Sequence, residues 1–288
     1  MIVAQGVHEL AARPRTVAIG SFDGVHRGHR RVLDTAGAVG ATTTVVTFWP
    51  HPRLVLGNHV ELLSTLERRL ELLESAGIDE VLVVNFTPAV AALSPQQFAD
   101  DVLRRIGTET IVVGENFRFG RAAAGDAESL DRLGFDVRPV PLLDRVSSTR
   151  IRALLRDGDV VEAAQLLGRP AELDGTVVLG DQRGGTLGYP TANLATPPEL
   201  LVPAYGIYAG AARGRRAAIS IGVNPHYAGE ERRIEPHLLD FEGDLYGQRL
   251  VVELWLRLRD ERAFGSEAEL VAQIAQDVEA ARAAGRPV

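Results

Sequence analysis

Two histidines three positions apart, His26 and His29, close the segment VAIGSFDGVHRGHR at residues 17–30, where an apolar run gives way to a glycine-bearing turn and then to a helical pattern. A helix mouth of this kind presents backbone N–H groups and a positive dipole end, which suits a polyphosphate. Imidazoles at i and i+3 share one helix face, so both can donate hydrogen bonds to the oxygens of a phosphorus under attack. The chemistry this implies is transfer of a phosphate-bearing group. Surface or capping histidines on a nucleotide-binding fold are the alternative, and the strand, turn and helix context favours the phosphate reading.

A second candidate lies in GDQRGGTLGYPTANL at residues 180–194. Its glycines let backbone wrap closely around phosphates, and no Gly-Lys-Ser/Thr follows, so it is not a Walker loop. Thr191 and Asn193 sit two apart, project to one side of an extended chain and offer two neutral oxygens to a magnesium ion carrying ATP phosphates. An ordinary turn is the alternative. In SSTRIR at 147–152, serine and threonine favour helix N-caps and arginine supplies a planar fork for phosphate, although the same residues also make a solvated helix start. His51 beside prolines, Asn116 in a turn and Glu235 before a strand-like run are, on their own, loop and strand-end residues.

These groups need a scaffold. The chain has 288 residues, 45% hydrophobic and 24% charged, which predicts two folded domains rather than one core. Cysteine is absent from the sequence, which removes disulfides, thiolate nucleophiles and cysteine-bound metals. A net charge of −7 argues against a phosphate-tracking nucleic-acid surface. No apolar run approaches the roughly 18 residues that span a bilayer, and the opening MIVAQGVHELAARPR has no signal-peptide pattern. The expectation is a cytoplasmic protein acting on small molecules, with neither membrane nor nucleic-acid partners.

Through the first half, TVAIGSF, ATTTVVTF, DEVLVVNF, ETIVVGENF and FDVRPVPLL alternate with helical patterns from about 27, over STLERRLELLESAG, near 95–106, and at 149–156 and 159–167. Strands alternating with helices predict a doubly wound parallel sheet. Beyond LLGRPAELDG the pattern becomes period-two strands punctuated by glycine and proline, which predicts a small antiparallel β-barrel. The expected fold is therefore α/β plus β, with domains at 1–170 and 171–288. Leu270, Ile274 and Val278 mark a closing amphipathic helix from Ser266 to about Ala284.

Taken in order, these stretches resemble the bacterial bifunctional riboflavin kinase and FAD synthetase family. SFDGVHRGHR is similar to that family's first motif and TFWPHP at 47–52 to its Phe-Asp-Pro-His-Pro stretch. VGENFRFGRAAAGD at 113–126 is similar to its Asn-Phe-x-Phe-Gly segment, and SSTRIR to its Ser-Ser-Thr-x-Ile-Arg helix start. GDQRGGTLGYPTANL, AYGIYAG, SIGVNPHY, IEPHLLDFEGDLYG and LRDERAFGSEAEL follow in the order of its riboflavin kinase module. The resemblance covers about residues 15 to 280.

The resemblance implies that riboflavin and ATP give FMN and ADP in the barrel, and that FMN and ATP give FAD and pyrophosphate in the N-terminal domain, with magnesium in both reactions. By that similarity His26 and His29 are catalytic and, with Gly20, Phe22, His51 and Asn116, line the ATP site. Ser148, Thr149 and Arg152 grip phosphate at a second helix end. In the kinase module Gly180, Arg183 and Gly188 contact ATP, Thr191 and Asn193 hold magnesium, and Glu235 is the general base. Three residues depart from the family pattern: Trp49 replaces an acid, Gly185 an arginine and His226 a threonine. The Trp49 indole either stacks on a ligand ring or packs at a strand end. The rival readings are one active module, a modified flavin as substrate, or a flavin- or nucleotide-binding regulator without turnover.

Overall fold

The computed structural model describes residues 1–40, 42–180, 187–223 and 232–288. The chain divides into two compact units, one of Met1–Val60 and Leu66–Ser147, the other of Glu61–Thr65 and Ser148–Val288.

In the first unit, β1 (Ile2–Ala4), β2 (Arg15–Ile19), β3 (Thr42–Trp49), β4 (Glu80–Asn85), β5 (Thr108–Gly114) and β6 (Asp136–Val140) form a parallel sheet in the order β1-β4-β3-β2-β5-β6. The intervening helices are α1 (Arg27–Gly37), α2 (Pro52–Val55), α3 (Leu66–Ser75), α4 (Pro88–Ala91), α5 (Pro95–Phe98) and α6 (Ala127–Arg132). A π-helical stretch, Ala99–Arg104, continues α5 where one longer helix was expected. Central strands of such a sheet are covered on both faces and read as apolar runs rather than alternations. Val17, Ile19, Ile111 and Val113 accordingly pack into one core, and Ala18, Val45, Val81 and Val112 into the opposite one.

Strand order reverses beside β2: the chain runs from β2 outward to β3 and β4, then returns to the other side for β5 and β6. Open α/β sheets bind ligands beyond the carboxyl ends of strands flanking such a reversal. The expected strands form where the apolar runs lie. The short edge strand β1 was not anticipated, because three residues show no periodicity.

The second unit opens with α7 (Ser148–Asp157) and α8 (Val160–Leu167), followed by β7 (Ala171–Val178), β8 (Asn193–Ala195), β9 (Gly206–Ala212), β10 (Arg215–Val223), β11 (Arg232–Leu238), β12 (Arg249–Arg259) and α9 (Glu267–Ala283). The strands make an antiparallel sheet in the order β11-β10-β9-β12-β7-β8. It is nearly closed, because the Ala192 N–H, one residue ahead of β8, donates to the Pro236 carbonyl of β11 at 3.0 Å. Ile151, Leu155, Val160, Ala163 and Leu167 of α7 and α8 share the core with Leu173, Tyr208 and Val252 of the barrel. The apolar faces of these helices are thus buried against strands of the same compact unit.

Candidate active sites

Beyond β2 the backbone makes a tight turn in which Phe22, Gly24 and Val25 have φ of 48°, 77° and 38°. Left-handed conformations at bulky residues cost on the order of 1–3 kcal/mol each and persist only where surroundings over-determine them. Here the Gly20 N–H donates to the Val46 carbonyl and the Val25 N–H to the Phe22 carbonyl, both at 3.1 Å. The Thr47 hydroxyl donates to the Ser21 carbonyl at 3.1 Å. A Cβ on Gly20 would press on the Phe22 ring at 3.2 Å, so Gly20 and Phe22 are packed as one piece.

His26 is the N-cap of α1, and its Nδ1 accepts the His29 N–H at 3.2 Å. An acceptor at Nδ1 leaves the neutral ring's proton on Nε2, which makes that nitrogen a donor. The two imidazoles stack with centroids 3.6 Å apart and planes 11° from parallel, and the Phe22 ring meets His29 edge-on at 5.2 Å. Capping and presentation of a donor are thus combined in His26. The same holds for His51, which caps α2 and accepts the Arg53 N–H on Nδ1 at 3.2 Å. Asn116 is exposed in the turn after β5, which is closed by the Phe117 N–H on the Gly114 carbonyl at 2.9 Å. Gly20, Phe22, His26, His29, His51 and Asn116 therefore follow the carboxyl ends of the three adjacent strands β3, β2 and β5.

Trp49, joined to Pro50 by a cis peptide bond, packs at the end of β3 with the Arg69 guanidinium 5.5 Å from its ring centroid. Ser148 and Thr149 form the first turn of α7, with Thr149 exposed. Arg152 is buried, and its Nε donates to the Glu61 carbonyl at 2.6 Å.

In the second unit Thr191, Asn193 and Glu235 line one cavity of about 390 Å³. Strand periodicity sends Arg233, Glu235 and His237 of β11 into it together. The His237 Nδ1 lies 2.7 Å from the Pro190 carbonyl and, with the Ala192–Pro236 bond, pins the Thr191 stretch beside the Glu235 strand. A Cβ on Gly180 would collide with the Asn193 amide and displace it. Gly188 has φ of 85° in the turn before Thr191. Arg183, Gly185 and His226 lie outside the described residues.

Sequence reasoning missed several lining groups. Leu270, Ile274 and Val278 of α9 wall the cavity with Phe264 instead of packing against the sheet alone, an arrangement that suits a flat apolar ring. Arg259 holds α9 through Asp277 at 2.7 Å. Glu261 also lines the cavity. Burial pushes its carboxyl above the usual range and Glu235 adds to this, against Arg259 and the Val223 N–H. Only the alternation RRIEPHL could have flagged Arg233 and His237. Glu261 lies on another strand end, and no local signal links it to Glu235.

Among the described residues, no helix is long and apolar enough to cross a membrane, and no group of three or more His, Cys, Asp or Glu could hold a metal ion.

Residues 8–151 match the family model for FAD synthetase and residues 167–284 that for riboflavin kinase. Curated relatives called bifunctional riboflavin kinase/FMN adenylyltransferase include proteins of Listeria monocytogenes and Escherichia coli. The first is 35% identical over 93% of this chain and 92% of its own length. The second is 36% identical over 98% and 97%. A solved structure described as a macrolide-efflux protein from Streptococcus pneumoniae superposes with a TM-score of 0.87 at 32% identity, covering 98% of both chains.

Proposed function

We propose, for a chain that belongs to the bifunctional riboflavin kinase/FMN adenylyltransferase family, that its two activities are carried separately by the two residue sets described above. The chain phosphorylates riboflavin to FMN with ATP and joins FMN to the adenylyl group of ATP to give FAD.

In the kinase reaction Glu235 takes the proton of the ribityl hydroxyl as that oxygen attacks the γ-phosphorus and ADP departs. Thr191 and Asn193 supply the hard neutral oxygens that suit magnesium, and the Asn193 amide, seated where a Cβ at 180 would otherwise lie, fits such a role. Magnesium held by Thr191 and Asn193 would neutralise charge on the transferring phosphate. We assign ATP contacts to Gly180, Arg183 and Gly188 by the family resemblance, and the flavin ring to the α9 wall. The observation that carries the reading is that Thr191 and Asn193, just ahead of and at the start of β8, share one cavity with Glu235 of β11.

In the second reaction an oxygen of the FMN phosphate attacks the α-phosphorus of ATP and pyrophosphate leaves. That nucleophile is already ionised near neutral pH, so orientation and charge stabilisation suffice without a base. His26, His29 and His51 donate to ATP phosphate oxygens, Gly20, Phe22 and Asn116 shape the nucleotide site, and Ser148, Thr149 and Arg152 form a further phosphate grip. The substrates are small molecules, and we place the enzyme in the cytoplasm with neither nucleic acid nor membrane as partner.

A chromatographic product assay with riboflavin, magnesium and ATP tests both halves. His29→Ala should abolish FAD formation while FMN still accumulates, and Glu235→Ala should stop FMN formation while supplied FMN is still adenylylated. Full FAD synthesis by the first variant, or unchanged kinase turnover by the second, refutes the corresponding assignment.

A further inference from the structure

We propose that Arg69 of α3 is a positioning residue for adenylyl transfer, holding Asp23 of the Phe22–His29 turn on one side and Trp49 of the His51 loop on the other. The inference rests on the reading of that turn as the adenylylation site.

Arg69 is fully buried, yet its contacts are poor. Among the described residues its one hydrogen bond is from Nη1 to the Phe48 carbonyl at 3.5 Å, and its Nη2 lies 3.7 Å from the Asp23 Oδ1. Nε and Nη2 have no hydrogen-bond partner among the described residues. Buried arginines elsewhere in the chain are satisfied: Arg15 donates to Glu80 at 2.6 Å and to the Ala11 carbonyl at 2.7 Å. Arg152 donates to the Glu61 carbonyl at 2.6 Å. An orphaned buried donor costs about 1–3 kcal/mol, so a pair selected for stability alone would close to hydrogen-bond distance. Arg69 remains charged at a cost: burial lowers its pKa, and attraction from Asp23 opposes the shift.

What this cation touches explains the expense. Asp23 is 2% exposed and sits between Phe22 and Gly24, both in left-handed conformations, so its carboxylate cannot move without the turn. Phe22 in turn sets the edge of His29. On its other side the guanidinium faces the Trp49 ring, two residues ahead of His51. One buried charge therefore ties together the two loops that carry His26, His29 and His51.

The test uses the full-length enzyme, with riboflavin kinase turnover in the same molecule as an internal control. Arg69→Met should lower kcat for FAD formation by at least about tenfold with little change in KM for ATP or FMN, because displacement of an oriented group affects turnover most strongly. Arg69→Lys, which keeps the charge beside Asp23, should recover most of that loss. Arg69→Met/Asp23→Asn removes both buried charges, so it should fold and be no worse than Arg69→Met alone. Wild-type FAD turnover in Arg69→Met, or in the folded double variant, overturns the proposal, as does a lysine variant as poor as the methionine one. His29→Ala run in parallel separates the levels: if it also retains FAD synthesis the site itself is misassigned, whereas if it alone is inactive only the role of Arg69 falls.

Discussion

At the scale of single residues, function follows from how few atoms each position can tolerate. Gly180 lies where any side chain would displace the Asn193 amide. Gly180→Ala should therefore raise KM for magnesium-ATP in FMN formation at least severalfold and leave adenylylation of supplied FMN unchanged, as measured by initial rates of each half-reaction. The stacking of His26 on His29, and the shared side of Thr191 and Asn193, were legible in sequence because the partners are local and their spacing maps directly onto a helix face or a strand side. Arg69, His237 and Glu261 were not. Arg69 is a helix residue whose meaning comes from Asp23 and Trp49, far away along the chain, and a buried arginine looks in sequence like any solvated one.

Strands and helices set the environment of these residues. At the start of β4, Glu80 is 2% exposed and receives hydrogen bonds from Arg15, Arg13 and the Thr44 hydroxyl, tying β4 to β2 and β3. Burial pushes its carboxyl up, but the bonds from Arg15, Thr44 and Arg13 outweigh this and hold it below the usual range. A depressed carboxylate contributes stability above the unfolded pKa, near 4.3, and loses it as pH falls through the folded value. The FAD-forming unit should therefore lose thermal stability below about pH 4. Glu80→Gln should blunt that acid dependence while costing about 3–5 kcal/mol at neutral pH, because it leaves Arg15 buried without its counter-ion. Thermal melts across pH, followed by residual adenylyltransferase activity, provide the measurement. The element pattern was readable wherever periodicity was sustained, as in β3 or β10. It failed at β1 and β8, three residues each, which exist only because a neighbouring strand offers hydrogen bonds.

For the whole molecule, the relevant question is where one unit stops. Since Ile151, Leu155, Val160 and Leu167 are buried with the barrel strands, a fragment of residues 148–288 should be markedly more stable than one of 171–288, which exposes that part of the core. Denaturant midpoints of the two fragments decide this, and equal midpoints would place the boundary back near 170. By itself the sequence determined the fold class, through hydrophobic period and turn chemistry, and its motifs carried the family resemblance that implied the two reactions. Tertiary structure alone decided that α7 and α8 pack with the barrel and that the stripe of α9 becomes a cavity wall. It also decided that a buried guanidinium underlies both histidine loops. These facts arise from packing between segments distant in the chain, and no local period encodes which apolar face will meet which.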